Sequence, residues 1–221
     1  MRESKGNMYG FVTHTWNPIK GKCIHDCSYC YMKQFGELKP LRMSEKELNE
    51  DLGSGNFIFV GSSTDMFASN VPKSWILDVL EHCRKYPENK YLFQTKNPIR
   101  FYGCMGIFPE NTTLGVTIES NEHHYQMNNS PTIEERFKAI KIIQNNSIYP
   151  FMITVEPIMD FNLKLFVANL KAIKPKWINI GADSKGHKLV EPSKEKTLCL
   201  IEELKTFTTI VKKSNLSRLL K

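Results

Sequence analysis

Three cysteines fall within eight residues of one another. Residues 21–32 read GKCIHDCSYCYM, which spaces Cys23, Cys27 and Cys30 as C-x3-C-x2-C. Three thiolates on one short loop can wrap a single corner of a cubane iron–sulfur cluster. A simple electron-carrying [4Fe–4S] cluster takes four cysteines, so three leave one iron open to a substrate or cofactor, which suits a catalyst. The alternative is zinc. His25 lies between Cys23 and Cys27 and would complete a Cys3His tetrahedron. It is only two residues from each of them, however, and zinc knuckles usually draw ligands from two separate segments. The other cysteines, Cys83, Cys104 and Cys199, are scattered. Six cysteines spread this way are no disulfide framework. Cys83 and Cys199 are expected to pack in the core from helices. Cys104 lies in a Gly-rich loop, FYGCMG.

A loop of this kind needs a scaffold, and the sequence describes one. Short β-branched and aromatic runs recur at Tyr9–His14, Phe57–Gly61, Tyr91–Thr95, Thr113–Ile118, Phe151–Val155 and Trp177–Ile180. Each has the length of a buried parallel strand. Helical stretches lie between them. Residues 44–52 open with Ser44 three residues before Glu47, a capping-box pattern. Residues 72–86, 132–145, 162–173 and 194–206 carry apolar positions at helical spacing. Thr208–Val211 reads as a last strand. The alternation predicts an α/β fold with a parallel sheet. Its six units are too few for a closed eightfold barrel, so a partial (β/α)6 TIM-type barrel is expected, with a doubly wound sheet as the alternative. One domain over 1–221 is expected, with the cysteine loop at 21–32 and a basic tail at 205–221.

The chain has 221 residues and a formal net charge of +7. That balance favours polyanionic partners such as nucleic acid or phosphorylated substrates. The N-terminal MRESKGNMYG has no apolar signal region. No apolar run approaches the ~18 residues of a membrane span, so a cytosolic protein is expected.

In either architecture, chemistry belongs at the C-terminal ends of the strands. Those ends are polar here: Ser62, Ser63, Asp65, Lys96, Glu119, Glu156 and Asp183 all follow strand runs. With C-x3-C-x-aromatic-C, Tyr29 being the aromatic, following the first strand, the chain resembles the radical S-adenosylmethionine (SAM) superfamily. The blocks TWNPIKG, FVGSSTDMF, LFQTKNP, NTTLGVTIES, ITVEPIMD and WINIGADS resemble the three-cysteine-motif phage and bacterial proteins within it. These are distantly related to spore photoproduct lyase.

The resemblance implies a [4Fe–4S] cluster on Cys23, Cys27 and Cys30, with S-adenosyl-L-methionine on the open iron. Reductive cleavage would give a 5′-deoxyadenosyl radical that abstracts hydrogen from a substrate. An external electron donor of flavodoxin or ferredoxin type is implied as well. Tyr29 would pack beside the cluster. Ser62, Ser63 and Asp65 would accept hydrogen bonds from the SAM amino group. Lys96 would pair with the SAM carboxylate or a substrate phosphate. Glu119 would bond ribose hydroxyls, unless Arg136 or Lys96 claims it as a structural partner. Glu156 and Asp183 would face substrate or SAM, and Gly181 would let a ligand approach the backbone. A nucleic-acid substrate, or a protein partner closing the open barrel, would complete the assembly.

Overall fold

The apolar runs pair side by side in one sheet. A computed structural model describes residues 1–221. The strands are β1 (Arg2–Glu3), β2 (His14–Trp16), β3 (Ile19–Lys20), β4 (Arg42–Met43), β5 (Phe57–Val60), β6 (Lys90–Thr95), β7 (Thr112–Thr117), β8 (Phe151–Val155), β9 (Trp177–Ile180) and β10 (Thr209–Lys212). The helices are α1 (Glu45–Leu48), α2 (Lys73–Arg84), α3 (Ile99–Tyr102), α4 (Ile133–Gln144), α5 (Leu163–Ile173) and α6 (Lys194–Lys205). In the main sheet the strand order is β1-β2-β5-β6-β7-β8-β9-β10. Every pair from β2 to β10 is parallel. Only β1 is antiparallel.

This order decides the architecture. In a doubly wound sheet the strand order reverses at a switch point. Here each strand lies beside the one before it, and β1 and β10 are the two free edges. The sheet is an open barrel, as expected, with the last run joining it as β10.

Alternate side chains along the strands face opposite sides. Ile58, Val60, Tyr91, Phe93, Leu114, Val116, Ile153, Val155, Ile178 and Ile180 pack against the helices in a core of 44 buried residues. Phe59, Leu92 and Met152 face the barrel interior, where they meet Tyr9 and Val12. Burial of this apolar area supplies the main drive for folding.

Several expectations are corrected. The first parallel strand is His14–Trp16, not Tyr9–His14. Residues 9–13 turn instead, because their aromatic rings fill the barrel floor. Tyr9 stacks on Phe11 at 5.5 Å, and Phe11 meets Trp177 edge-on. The Ser44 capping box does not form, since α1 runs for a single turn and Ser44 makes no side-chain cap bond. A complete box closes α4 instead, between Thr132 and Glu135. Cys199 is exposed on α6 rather than packed in the core, whereas Cys83 is buried as expected.

Gly115 shows how tightly the interior is filled. A Cβ there would lie 2.9 Å from Met152 Cε and 3.2 Å from Leu92 Cδ1 and Gln94 Cβ. Gly115→Val is therefore expected to destabilise the fold by about 1–3 kcal/mol through overpacking, read as a lower midpoint in urea unfolding.

Candidate active site

The chain leaves β2 through Asn17 and the short β3–β4 hairpin, and the cysteine loop is carried between those two strands. Backbone bonds hold the loop against the segment after β7. Ser28 N–H donates to the Gln126 carbonyl at 2.9 Å, and Asn129 N–H to the His25 carbonyl at 3.1 Å. The side chain of Asn128 donates to the Asp26 carbonyl at 2.6 Å. Asp26 takes a left-handed φ of 49°, which turns the loop between the first two cysteines. Segment 125–129 carries no motif, so sequence reasoning missed it.

Cys23, Cys27 and Cys30 line one cavity of about 630 Å³ at the C-terminal ends of the strands. None of the three is in a disulfide. Burial pushes the Cys23 thiol up to about 12 and raises Cys27 as well. No three His, Cys, Asp or Glu side chains are gathered closely enough to hold a metal ion. Protonated thiols pack as separate small hydrophobes, and they converge on a metal only when they lose their protons.

Two side chains of the loop reach carboxylates, one half-buried and one fully enclosed. His25 Nε2 lies 2.9 Å from Asp65 Oδ2, beyond the end of β5. The Tyr29 hydroxyl donates to Glu119 Oε1 at 2.5 Å, beyond the end of β7. Asp65 has no acceptor capacity to spare, and Glu119 is filled at the oxygen that faces the loop, Oε1. Asp65 also accepts from Thr95 Oγ1 at 2.8 Å, Lys96 N–H at 2.9 Å and Phe67 N–H at 2.9 Å. Glu119 is fully buried between Lys96 Nζ, which meets Oε1, and Arg136 Nη1, 2.6 Å from Oε2. Burial alone would raise the Glu119 carboxyl, but Arg136 and Lys96 outweigh it and hold the group far below the usual carboxylate range. Burial would raise Asp65 too, and the bond from His25 reverses that.

Most of the anticipated strand-end residues do come together. Tyr29, Ser62, Ser63, Asp65, Lys96, Glu156 and Asp183 all line the cavity with the cysteines. Glu119 does not; it sits behind Tyr29 and Lys96, in the ion pairs with Lys96 and Arg136 that were the alternative to a ribose contact. Ser62 and Ser63 both donate to Asn17 Oδ1, at 3.2 and 2.9 Å. Their oxygens keep lone pairs for a further donor. Lys96 Nζ lies 5.0 Å over the Tyr29 ring, with its charge partly spent on Glu119.

Glu156 and Asp183 define the far side of the cavity. Glu156 accepts from Asn7 at 2.9 Å and Asn215 at 2.8 Å, and pairs with Lys213 at 2.7 Å. Gly181 serves this arrangement: a Cβ there would fall 2.6 Å from Glu156 Oε1. The close approach anticipated at Gly181 is therefore made by a neighbouring carboxylate. Asp183 accepts from His187 Nδ1 at 2.6 Å and from two backbone N–H groups of its own loop. Lys213 is the main surprise, because it stands inside the cavity with its ammonium 4.5 Å over the Tyr9 ring. Cys104 is buried outside this cavity, in the core near Phe101 and Phe108.

Residues 8–193 match the family described as "Protein of unknown function (DUF5131)". No curated protein matches the chain. Among solved structures, a spore photoproduct lyase variant superposes with a TM-score of 0.65 at 12% identity, covering 96% of this chain and 80% of that one. The lyase complexed with dinucleoside spore photoproduct gives 0.60 at 12% identity, covering 90% and 74%. The structure of anSMEcpe with bound AdoMet gives 0.57 at 10% identity, covering 89% and 60%. At these identities the likeness is one of fold.

Glu119→Gln leaves Arg136 and Lys96 facing no counter-charge and is expected to cost about 3–5 kcal/mol. The folded Glu119 pKa is depressed below an unfolded value of about 4.3, so its contribution is complete above that pH and lost as pH falls further. The stability gap between parent and variant should stay constant from about pH 7 to 5 and narrow below about pH 4. Denaturant titrations across that range measure it.

Proposed function

For a chain that belongs to the DUF5131 family, we propose a radical SAM enzyme that binds a [4Fe–4S] cluster on Cys23, Cys27 and Cys30 and S-adenosyl-L-methionine beside it. The observation that carries this reading is the donor set: three unpaired thiols from one short loop, open to one cavity at the C-terminal ends of a parallel open barrel. The fit extends beyond the thiols. A volume of about 630 Å³ lies within the usual range for small-molecule sites. Three thiols also suit a cubane with one iron left for a small ligand, as four would not. Bound there, the cluster and SAM supply one-electron cleavage of SAM to a hydrogen-abstracting 5′-deoxyadenosyl radical.

The chain's own residues place and shield. Lys96, at the cavity wall, offers a cation to the SAM carboxylate. The Ser62 and Ser63 oxygens, oriented by Asn17, offer acceptors to its amino group. Asp65, named from sequence for that task, is committed to its four protein donors. Tyr29 walls the cavity beside Cys27 and Cys30. Glu156, Asp183 and Lys213 lie across from the cysteines and face the substrate.

Kinship with the three-cysteine-motif proteins is part of this reading, on the sequence blocks quoted above. So is a reductant of flavodoxin or ferredoxin type. A nucleic-acid substrate is favoured by the net charge of +7 and by the bound dinucleoside of the structurally similar lyase. No helix is long and apolar enough to cross a membrane.

Anaerobic reconstitution with iron and sulfide should give a brown protein with about four irons per chain. Dithionite and SAM should then yield 5′-deoxyadenosine. Cys27→Ala should lose both colour and product. A fully loaded protein that forms no 5′-deoxyadenosine would refute the enzyme reading, and a single bound zinc would support the Cys3His alternative.

A further inference from the structure

The two ends of the cysteine loop are fastened in the same way. Near Cys23, His25 is buried and its Nε2 donates to Asp65. Near Cys30, the buried Tyr29 hydroxyl donates to Glu119. Both carboxylates stand at strand ends, and both are joined through the end of β6. Asp65 accepts from the Thr95 hydroxyl and the Lys96 backbone N–H, while the Lys96 ammonium pairs with Glu119. His25 Nδ1 is buried with no partner. A buried polar atom left unpaired is unfavourable by about 1–3 kcal/mol, so the ring is held here by its other nitrogen.

We propose that Asp65 and Glu119 are positioning residues for the cysteine loop: each carboxylate grips one ring of the loop, His25 or Tyr29, and together they present the three thiols to one cavity. The proposal rests on reading the loop as the cluster-binding segment. It differs from a ligand-binding role for either carboxylate, because every acceptor position that faces the loop is already filled. It also gives His25 a task in loop placement through its bond to Asp65.

The test uses the full-length protein and variants that spare the buried ion pairs. Tyr29→Phe removes only the hydroxyl and leaves Glu119 with Arg136 and Lys96. His25→Phe removes the other grip, and His25→Gln retains a donor for Asp65. Amide hydrogen exchange in the cluster-free protein is the readout. Exchange across residues 22–31 should quicken by about ten- to a hundredfold in each Phe variant, the factor expected for one lost hydrogen bond to a charged group. Exchange in β6 and β7 should stay as in the parent, and His25→Gln should restore the loop. Unchanged loop exchange in both Phe variants, or a His25→Gln protein whose loop exchanges as fast as that of His25→Phe, overturns the proposal. A parent protein that takes up no cluster would instead refute the cluster reading, while the exchange result would still judge the positioning role.

Discussion

The Glu119 carboxylate is the point on which the site depends. It is wholly enclosed, and a buried carboxylate without partners would take up a proton or force the structure apart. Arg136 from α4 neutralises one oxygen, and Lys96 from the end of β6 the other. Arg136 is itself enclosed and spends its remaining donors on Thr117 and Pro131 carbonyls and the Ser130 hydroxyl. One carboxylate thus ties a helix, two strand ends and, through Tyr29, the cysteine loop. Lys96 is turned partly away from the cavity by the same contact, so the strength of that pair sets how much positive charge a ligand would meet.

The neighbouring carboxylates follow the same logic with different consequences. Asp65 is satisfied mainly by neutral donors, which keeps it ionised without drawing another cation into the wall. Glu156 and Asp183 are each matched by one basic side chain, Lys213 and His187. The cavity's carboxylates are thus matched one by one, while Lys5, Lys22 and Lys185 also line it without a carboxylate partner. What a ligand meets beyond the paired groups is positive charge, which favours an anionic one.

Much of this was legible in the sequence, for reasons that can be named. Parallel strands buried on both faces leave short apolar runs, and their polar ends mark the edge where ligands gather. Runs such as FIFV and WINI could be placed to within a residue. Cys23, Cys27 and Cys30 stand close in sequence, so they had to stand on one loop. Occupancy was not legible. For Glu119 the sequence offered Arg136 and Lys96 beside a ligand role without choosing between them, and for Asp65 it offered no protein donors; only the three-dimensional contacts show that both are taken. The partners lie far off: Lys96 precedes Glu119 by 23 positions and Arg136 follows it by 17. Ser44 and Thr132 teach a related lesson, since both head an S/T-x-x-E pattern and only the three-turn helix completes its cap. Lys213 read as part of the basic tail because it lies just beyond the last strand run, and nothing in the sequence says that its ammonium turns back over Tyr9.

The seam of the open barrel has a consequence for how this cavity comes into being. Its wall there is made by Asn7, which bonds Glu156 and accepts from Ser214, a residue 207 positions away. Tyr9 from one end of the chain and Lys213 from the other meet face to face. Contacts of such separation form late, because the loop they close is nearly the whole polypeptide. The cysteine loop and its carboxylates belong to the first two-thirds of the sequence and can assemble without that seam. A chain still emerging would carry the thiols on their loop without this wall, so the meeting of the two chain ends is the step that gives the cavity its last side.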